Sequence, residues 1–254
     1  MKALVTGASS GIGRDMAIYL SRLGCDLIIC GRNKDELEKL QSSLKTKVKV
    51  IVIDLSLEKK VKELYVLTKN ENVDIVINNA GFGLYGDYND VDILTELNMI
   101  DVNIKAVHIL TRMFLKDMVK KDKGYILNVA SSAGLLYGGP LMSTYYATKG
   151  YVTDFTLAIS EELRRNKSNV RVAVLCPGPV STNFNKVAGV RFNISSLSSG
   201  YVANYALTEL FYSKKVVIVP GFKVRMGLFF SRFLSKKRLL KITYNIQRKK
   251  SDKK

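Results

Sequence analysis

Three cysteines, one histidine, four prolines and no tryptophan are present among 254 residues, and these shortages narrow what the chain can be. Cys25, Cys30 and Cys176 are too few and too scattered for a disulfide framework or a zinc cluster; they read as small buried apolar residues in a reducing cytosol. A single imidazole, His108, removes most histidine-based metal and triad chemistry, and no metal site is expected. No apolar run approaches the ~18 residues that a membrane-spanning helix needs. The opening MKALVTGASSG passes from Met into a strand and a glycine-rich turn, without the apolar stretch and small-residue cleavage site of a signal peptide. A cytoplasmic protein is therefore expected. Four Pro and 18 Gly exclude collagen-like and low-complexity chains, and 47% hydrophobic content excludes a disordered one.

The length suits one substantial core. Strands are expected near Lys2–Thr6, Asp26–Cys30, Lys47–Ile53, Val73–Ile77, Gly124–Val129, Val170–Leu175 and Val216–Val219. Helices are expected between them, near Ile12–Leu23, Lys34–Leu44, Leu57–Lys69, Val91–Lys121, Ser143–Asn166 and Ser196–Tyr212. Runs such as LIIC and DIVI are continuously apolar, as in a parallel sheet covered on both faces. The expected fold is a single doubly wound, Rossmann-type α/β domain over 1–221, with a mostly parallel seven-stranded sheet flanked by helices on both faces. A basic extension, 222–254, follows it.

The first turn, Thr6-Gly7-Ala8-Ser9-Ser10-Gly11-Ile12-Gly13, joins the first strand to the first helix. Its glycines run G-x-x-x-G-x-G instead of the commoner G-x-G-x-x-G. Glycine tolerates positive φ and lets backbone N–H groups approach a pyrophosphate at a helix N-terminus, where the macrodipole favours anions. The same residues satisfy the G-x-S-x-G of a nucleophile elbow. That chemistry needs a base, and His108 lies inside the helical stretch AVHIL, where it reads as a packed residue. Nucleotide binding is the expected use, with Gly7, Ser9, Ser10, Gly11, Ile12 and Gly13 forming the cradle. About 20 residues beyond such a loop, a carboxylate suits a ribose 2′-OH and an arginine suits a 2′-phosphate. Gly31 stands where the carboxylate is expected and Arg32 follows, which favours NADP(H) over NAD(H).

Three further stretches complete a constellation: Asn78-Asn79-Ala80-Gly81, Tyr145-Tyr146-Ala147-Thr148-Lys149 and Cys176-Pro177-Gly178-Pro179-Val180-Ser181-Thr182. With TGASSGIG they make the chain resemble the classical short-chain dehydrogenase/reductase family over roughly residues 1–220. The resemblance implies hydride transfer between a nicotinamide cofactor and a ketone, aldehyde or alcohol. Tyr145 and Lys149 match the family's Y-x-x-x-K, a spacing that puts both on one helix face. Tyr145 would be the acid/base, its pKa lowered by the Lys149 charge, while Lys149 also holds the nicotinamide ribose. Ser132, thirteen residues before Tyr145, matches the family's catalytic serine, with Ser131 as second choice. Asn103 resembles the helix asparagine whose backbone carbonyl holds a relay water. On the cofactor side the resemblance implies Asp54 and Leu55 at the adenine and Asn79, Ala80 and Gly81 along the adenosine ribose. Pro177, Gly178, Val180 and Thr182 would lie at the nicotinamide and its carboxamide. The alternative is a catalytically idle relative that binds nucleotide for a regulatory or membrane-associated role.

Leu135–Thr144 and the segment NFNKVAGVRFNISSLSS after Thr182 are expected to shape a pocket for a small apolar carbonyl or alcohol substrate, the latter as a lid. A homodimer or homotetramer is implied by the resemblance. From Phe222 onward the chain holds 12 Lys and Arg against one acid, Asp252. As a helix this tail is amphipathic and basic, with Phe222, Met226, Phe229, Phe230, Phe233, Leu240 and Tyr244 recurring at three- and four-residue intervals. It suits packing on the body or on a sister subunit, or a peripheral contact with the inner membrane surface. No nucleic-acid motif accompanies the charge, so no nucleic-acid partner is expected.

Overall fold

The chain alternates strand and helix from its first residues, and a computed structural model describes residues 1–182 and 196–248. The first units are β1 (Lys2–Thr6), α1 (Gly11–Arg22), β2 (Asp26–Gly31), α2 (Lys34–Ser43), β3 (Val48–Val52) and α3 (Glu58–Thr68). They are followed by β4 (Ile75–Asn78), α4 (Ile93–Ile100), α5 (Val107–Lys121), β5 (Tyr125–Val129), α6 (Ser143–Arg165) and β6 (Arg171–Leu175). The short strands β7 (Val180–Ser181) and β8 (Leu197–Ser198) precede α7 (Ser199–Tyr212) and β9 (Val217–Ile218). Two helices end the described chain, α8 (Phe222–Ser231) and α9 (Lys236–Arg248).

Seven strands form one sheet in the order β3-β2-β1-β4-β5-β6-β9, all pairs parallel. The order reverses between β1 and β4, which opens a crevice beyond the strand ends there. The continuous apolar runs have a simple cause. Ala3, Val5, Leu27, Ile29, Ile75 and Ile77 face one buried layer with α1, α2 and α7; Leu4, Ile28, Cys30 and Val76 face the other with α3 and α5. All three cysteines are buried and free.

Two expected elements differ from what forms. The single long helix expected over Val91–Lys121 is α4 and α5 joined by a π-helical turn, Asp101–Ala106. Such turns are common at functional sites, and this one carries Asn103. The tail is two helices instead of one. Ser235 restarts the chain, its hydroxyl accepting the Arg238 N–H (3.4 Å) and its carbonyl accepting that of Leu239 (3.0 Å). His108 is also not packed in a core. It sits exposed on α5, with Nδ1 2.7 Å from the Tyr151 hydroxyl and its ring stacked on Phe155.

A buried polar cluster ties the sheet ends to the helices. The Asn78 amide donates to Asn128 Oδ1 (2.8 Å) and to the Thr111 hydroxyl (3.1 Å), and the Asn128 amide donates to the Thr156 hydroxyl (3.0 Å). These bonds satisfy groups that would otherwise be costly to bury, and they fix α5 and α6 against β4 and β5. The direction of α6, and hence of the residues it presents to the crevice, is set in this way.

Candidate active site

A cleft of about 630 Å³ lies beyond the carboxyl ends of the sheet strands. Its wall includes Gly7, Ser9, Ser10, Gly11 and Ile12 from the first turn, Arg32 after β2, and Asp54 and Leu55 after β3. Asn79, Ala80 and Gly81 follow β4, Ser131 and Ser132 follow β5, and Pro177, Gly178, Val180 and Thr182 follow β6. Tyr145 and Lys149 reach in from α6. Of the expected residues, Gly13 and Asn103 stand just behind this lining. Of the expected lid, residues 183–195 lie outside the described residues.

The first turn is built so that only glycine fits. Gly7 has φ +65°, and a Cβ there would lie 2.8 Å from Ala80 Cα. A Cβ on Gly13 would meet Asn79 Nδ2 at 2.3 Å and the Gly7 carbonyl at 2.6 Å. The Asn79 amide occupies that space, donating to the Thr6 and Gly7 carbonyls (3.0 and 3.1 Å). The Thr6 hydroxyl accepts the N–H groups of Asn79 and Ala80 (2.9 and 3.0 Å). Loop and strand ends are thus locked together. At the start of α1, Ser10 makes no side-chain cap bond and the first turn holds no acid, so the positive helix end faces the cleft uncompensated. A pyrophosphate is the chemistry that fits such an end. Arg32, exposed at the rim and without an acidic partner among the described residues, fits a further phosphate.

At the other end of the cleft, Ser131 and Ser132 both line the wall with Tyr145, and of the two it is the Ser131 side chain that lowers the Tyr145 proton affinity. Ser131 caps the short 3₁₀ turn Ser132–Leu135, its Oγ accepting the Ala133 N–H (3.1 Å), whereas the Ser132 N–H donates to the Pro177 carbonyl (2.8 Å). The tyrosine's proton affinity differs from expectation. Burial pushes Tyr145 up to about 12, against a smaller opposing effect of the Ser131 hydrogen bond. The Lys149 ammonium does not offset this. Its Nζ lies 5.9 Å from the Tyr145 ring centroid and donates to the Val129 carbonyl at 2.9 Å. Lys149 is itself only 4% exposed, and burial pulls it down to about 8.

Asn103 is fully buried beside this pair. Its amide donates to the Phe82 carbonyl (2.9 Å) and the Thr148 hydroxyl (3.0 Å), and its Oδ1 accepts the Phe82 N–H (3.1 Å). A Cβ on Gly81 would sit 2.8 Å from Asn103 Oδ1 and 3.3 Å from Lys149 Nζ, so Gly81 lets β4's loop close over both.

Among the lining residues that sequence reasoning missed are Gln247 and Tyr146. Gln247 of α9 is buried at the cleft, with Nε2 2.7 Å from the Tyr146 hydroxyl. Tyr146 has Gly150 four residues on and so falls outside Y-x-x-x-K, a test for catalysis and not for pocket lining. Nothing local marks Gln247, since only the path of the tail brings it 101 residues back to α6. Among the described residues no group of three or more His, Cys, Asp or Glu could hold a metal ion, and no helix is long and apolar enough to cross a membrane.

Comparison with known proteins agrees with this geometry. The short chain dehydrogenase family profile matches residues 1–190. A Sinorhizobium fredii protein described as a short-chain type dehydrogenase/reductase is 39% identical over 189 residues, covering 73% of this chain and 72% of its own. Among solved structures, a short-chain dehydrogenase from Sphingobium yanoikuyae in complex with NADPH superposes with a TM-score of 0.80 at 24% identity, covering 91% of this chain and 93% of that one. A Burkholderia phymatum short-chain dehydrogenase/reductase in complex with NAD gives 0.81 at 24% identity, covering 90% and 91%. The chain belongs to the short-chain dehydrogenase family of oxidoreductases.

Proposed function

We propose that the protein reversibly interconverts an apolar ketone or aldehyde and its alcohol, using NADP(H). The observation that carries this reading is the buried phenol of Tyr145, in one cleft with Ser131, Lys149 one helical turn along α6, and the glycine cradle. The nicotinamide, when bound, supplies or accepts the hydride. The residues fitted to hold the cofactor are the Gly7–Gly13 turn with the α1 N-terminus, Arg32, Asp54, Leu55, Asn79–Gly81 and Pro177–Thr182. In the reductive direction Tyr145 gives its proton to the substrate oxygen. A pKa of about 12 keeps that proton in place at neutral pH. Ser131 holds the oxygen toward the phenol, and the Lys149 ammonium, once it turns from the Val129 carbonyl, favours the tyrosinate that is left. The Asn103 side chain is fully engaged with Phe82 and Thr148, so its part in proton resupply falls to its backbone carbonyl.

The serine assignment separates cleanly by mutation. Ser131→Ala is expected to lower turnover by about 10- to 100-fold and Ser132→Ala by less than about threefold, as the first removes a hydrogen bond to the reacting oxygen. Initial rates for both variants test it, and the reverse ranking restores Ser132.

Arg32 carries the cofactor preference. A guanidinium at the rim gains a charge-assisted bond only from a 2′-phosphate, whereas an aspartate there repels that phosphate and accepts from a 2′-OH. Arg32→Asp is expected to shift the ratio of kcat/KM for NADPH over NADH by at least about 100-fold toward NADH. An unchanged ratio sinks the NADP(H) assignment. Consumption of each dinucleotide against ketones of graded length tests the activity itself and defines the substrate.

A further inference from the structure

The tail leaves its aromatic side chains in solvent. Phe222, Phe229 and Phe230 of α8 are 68%, 51% and 58% exposed, and Phe233 just beyond is 74% exposed. The Phe229 ring lies 5.6 Å from that of Phe230 and 5.4 Å from that of Phe233, so these form one apolar patch. Single exposed apolar residues are ordinary; a clustered aromatic group is not.

The surroundings of this patch are of one sign. Residues 222–248 hold eight Lys and Arg and no Asp or Glu. Among the described residues, no ion pair involves Lys223, Arg225, Arg232 or any lysine of α9. Elsewhere Lys34 and Lys39 of α2 and Lys60 and Lys62 of α3 are paired with a glutamate three or four residues away. In α9, Leu239, Thr243 and Gln247 turn inward at a four-residue spacing, and Lys237, Arg238 and Lys241 are exposed. The helix is thus anchored by one stripe and presents these cations, with Leu240, Ile242, Tyr244 and Ile246 among them, on its exposed face.

We infer that α8 and α9 form a docking surface for an anionic lipid bilayer, with Phe229, Phe230 and Phe233 inserted at the acyl boundary and the Lys and Arg side chains at the headgroups. Aromatic rings flanked by cations are the composition that such an interface retains. A second copy of the chain is a poorer occupant, because a two-fold contact would set two uncompensated basic faces against each other. The surface also adjoins the cleft. Val224 of α8 packs on Gly178, where a Cβ would lie 2.6 Å from Val224 Cγ2, and Gln247 of α9 lines the cleft itself. A docked molecule therefore carries its cleft beside the lipid. If the proposed function holds, an apolar substrate reaches the cleft from that phase; docking itself does not depend on that reading.

The test uses the full-length protein and large unilamellar vesicles of phosphatidylcholine with or without phosphatidylglycerol. Wild type is expected to co-sediment with the anionic vesicles at low salt and not with the neutral ones. The F229S/F230S/F233S variant, altered only at exposed positions, is expected to partition at least about 100-fold more weakly. A K236Q/K237Q/R238Q variant is expected to lose at least about 10-fold. In an otherwise intact chain, F233W supplies the only indole, and its emission should shift to the blue on anionic vesicles. Failure of wild type to pellet, or no shift in F233W, overturns the proposal. So does binding indifferent to the Phe substitutions, which means a charge-only surface open to any polyanion, with a labelled oligonucleotide competing equally. Self-association in sedimentation velocity that the Phe variant abolishes, without vesicle binding, assigns the patch to a second copy instead.

Discussion

Tyr145→Phe is expected to lower the turnover of NADPH-dependent carbonyl reduction by at least about 10²–10⁴-fold, the usual worth of a positioned acid. That range corresponds to roughly 3–5 kcal/mol of transition-state stabilisation. The substitution deletes one oxygen and keeps the ring, which packs with Met99, Ala133 and Met142 in a small buried cluster, so the fold is retained. NADPH affinity should change by less than about threefold, because the residues proposed to hold its phosphates, the glycine turn and Arg32, lie elsewhere in the cleft. Absorbance of the dinucleotide reports turnover, and quenching of its fluorescence on titration reports binding. Turnover equal to wild type removes Tyr145 as the acid. Loss of binding in step with turnover makes it a structural residue instead.

The parts of the site that were legible in the sequence are those fixed by backbone geometry. Gly7 and Gly13 are readable because a Cβ at either would strike the chain's own Ala80 or Asn79, and that constraint leaves a glycine spacing in the sequence. The strands were readable because burial on two faces demands unbroken apolar runs, as in Leu27–Cys30. What was not legible depends on distances through space. The choice between Ser131 and Ser132 turns on which hydroxyl reaches Tyr145 across an irregular loop, and residue counting has no access to it. The sign of the Tyr145 shift was misread because helix spacing brings Lys149 alongside the ring, yet its Nζ is taken by the Val129 carbonyl. Burial then dominates. Gln247 was invisible for a related reason, since its contact with Tyr146 exists only once the tail has folded back. His108 misled because AVHIL looks apolar along the chain, while on the helix its histidine takes the outer face, toward Tyr151.

Lys149→Met should abolish most activity, by about 10²-fold or more, and should also change how stability responds to pH. The folded protein holds the Lys149 pKa at about 8 against the ordinary lysine value of 10.5, and burial is the largest cause. Below pH 8 the folded state bears the full cost of a buried ammonium. Between pH 8 and 10.5 the unfolded chain keeps a proton that the folded chain has released, so wild-type stability rises with pH across that window. The gain is on the order of 3 kcal/mol. Tyr145 and Cys176, both raised to about 12, oppose it by losing stability as pH climbs; both remain in the variant, where Cys176 loses only the small lowering effect of the Lys149 charge. Comparing the two proteins therefore isolates the lysine. At pH 7.5 the methionine variant gains the removal of that penalty and loses the donor to the Val129 carbonyl, so the offset there is modest. The slope is the decisive quantity. Urea unfolding at several pH values should find wild type gaining on Lys149→Met by roughly 3 kcal/mol from pH 8 to 10.5. A difference that stays constant over that range means an ordinary lysine, fully charged in the cleft at every pH an enzyme would meet, and the electrostatic support proposed for the tyrosinate would then not depend on burial.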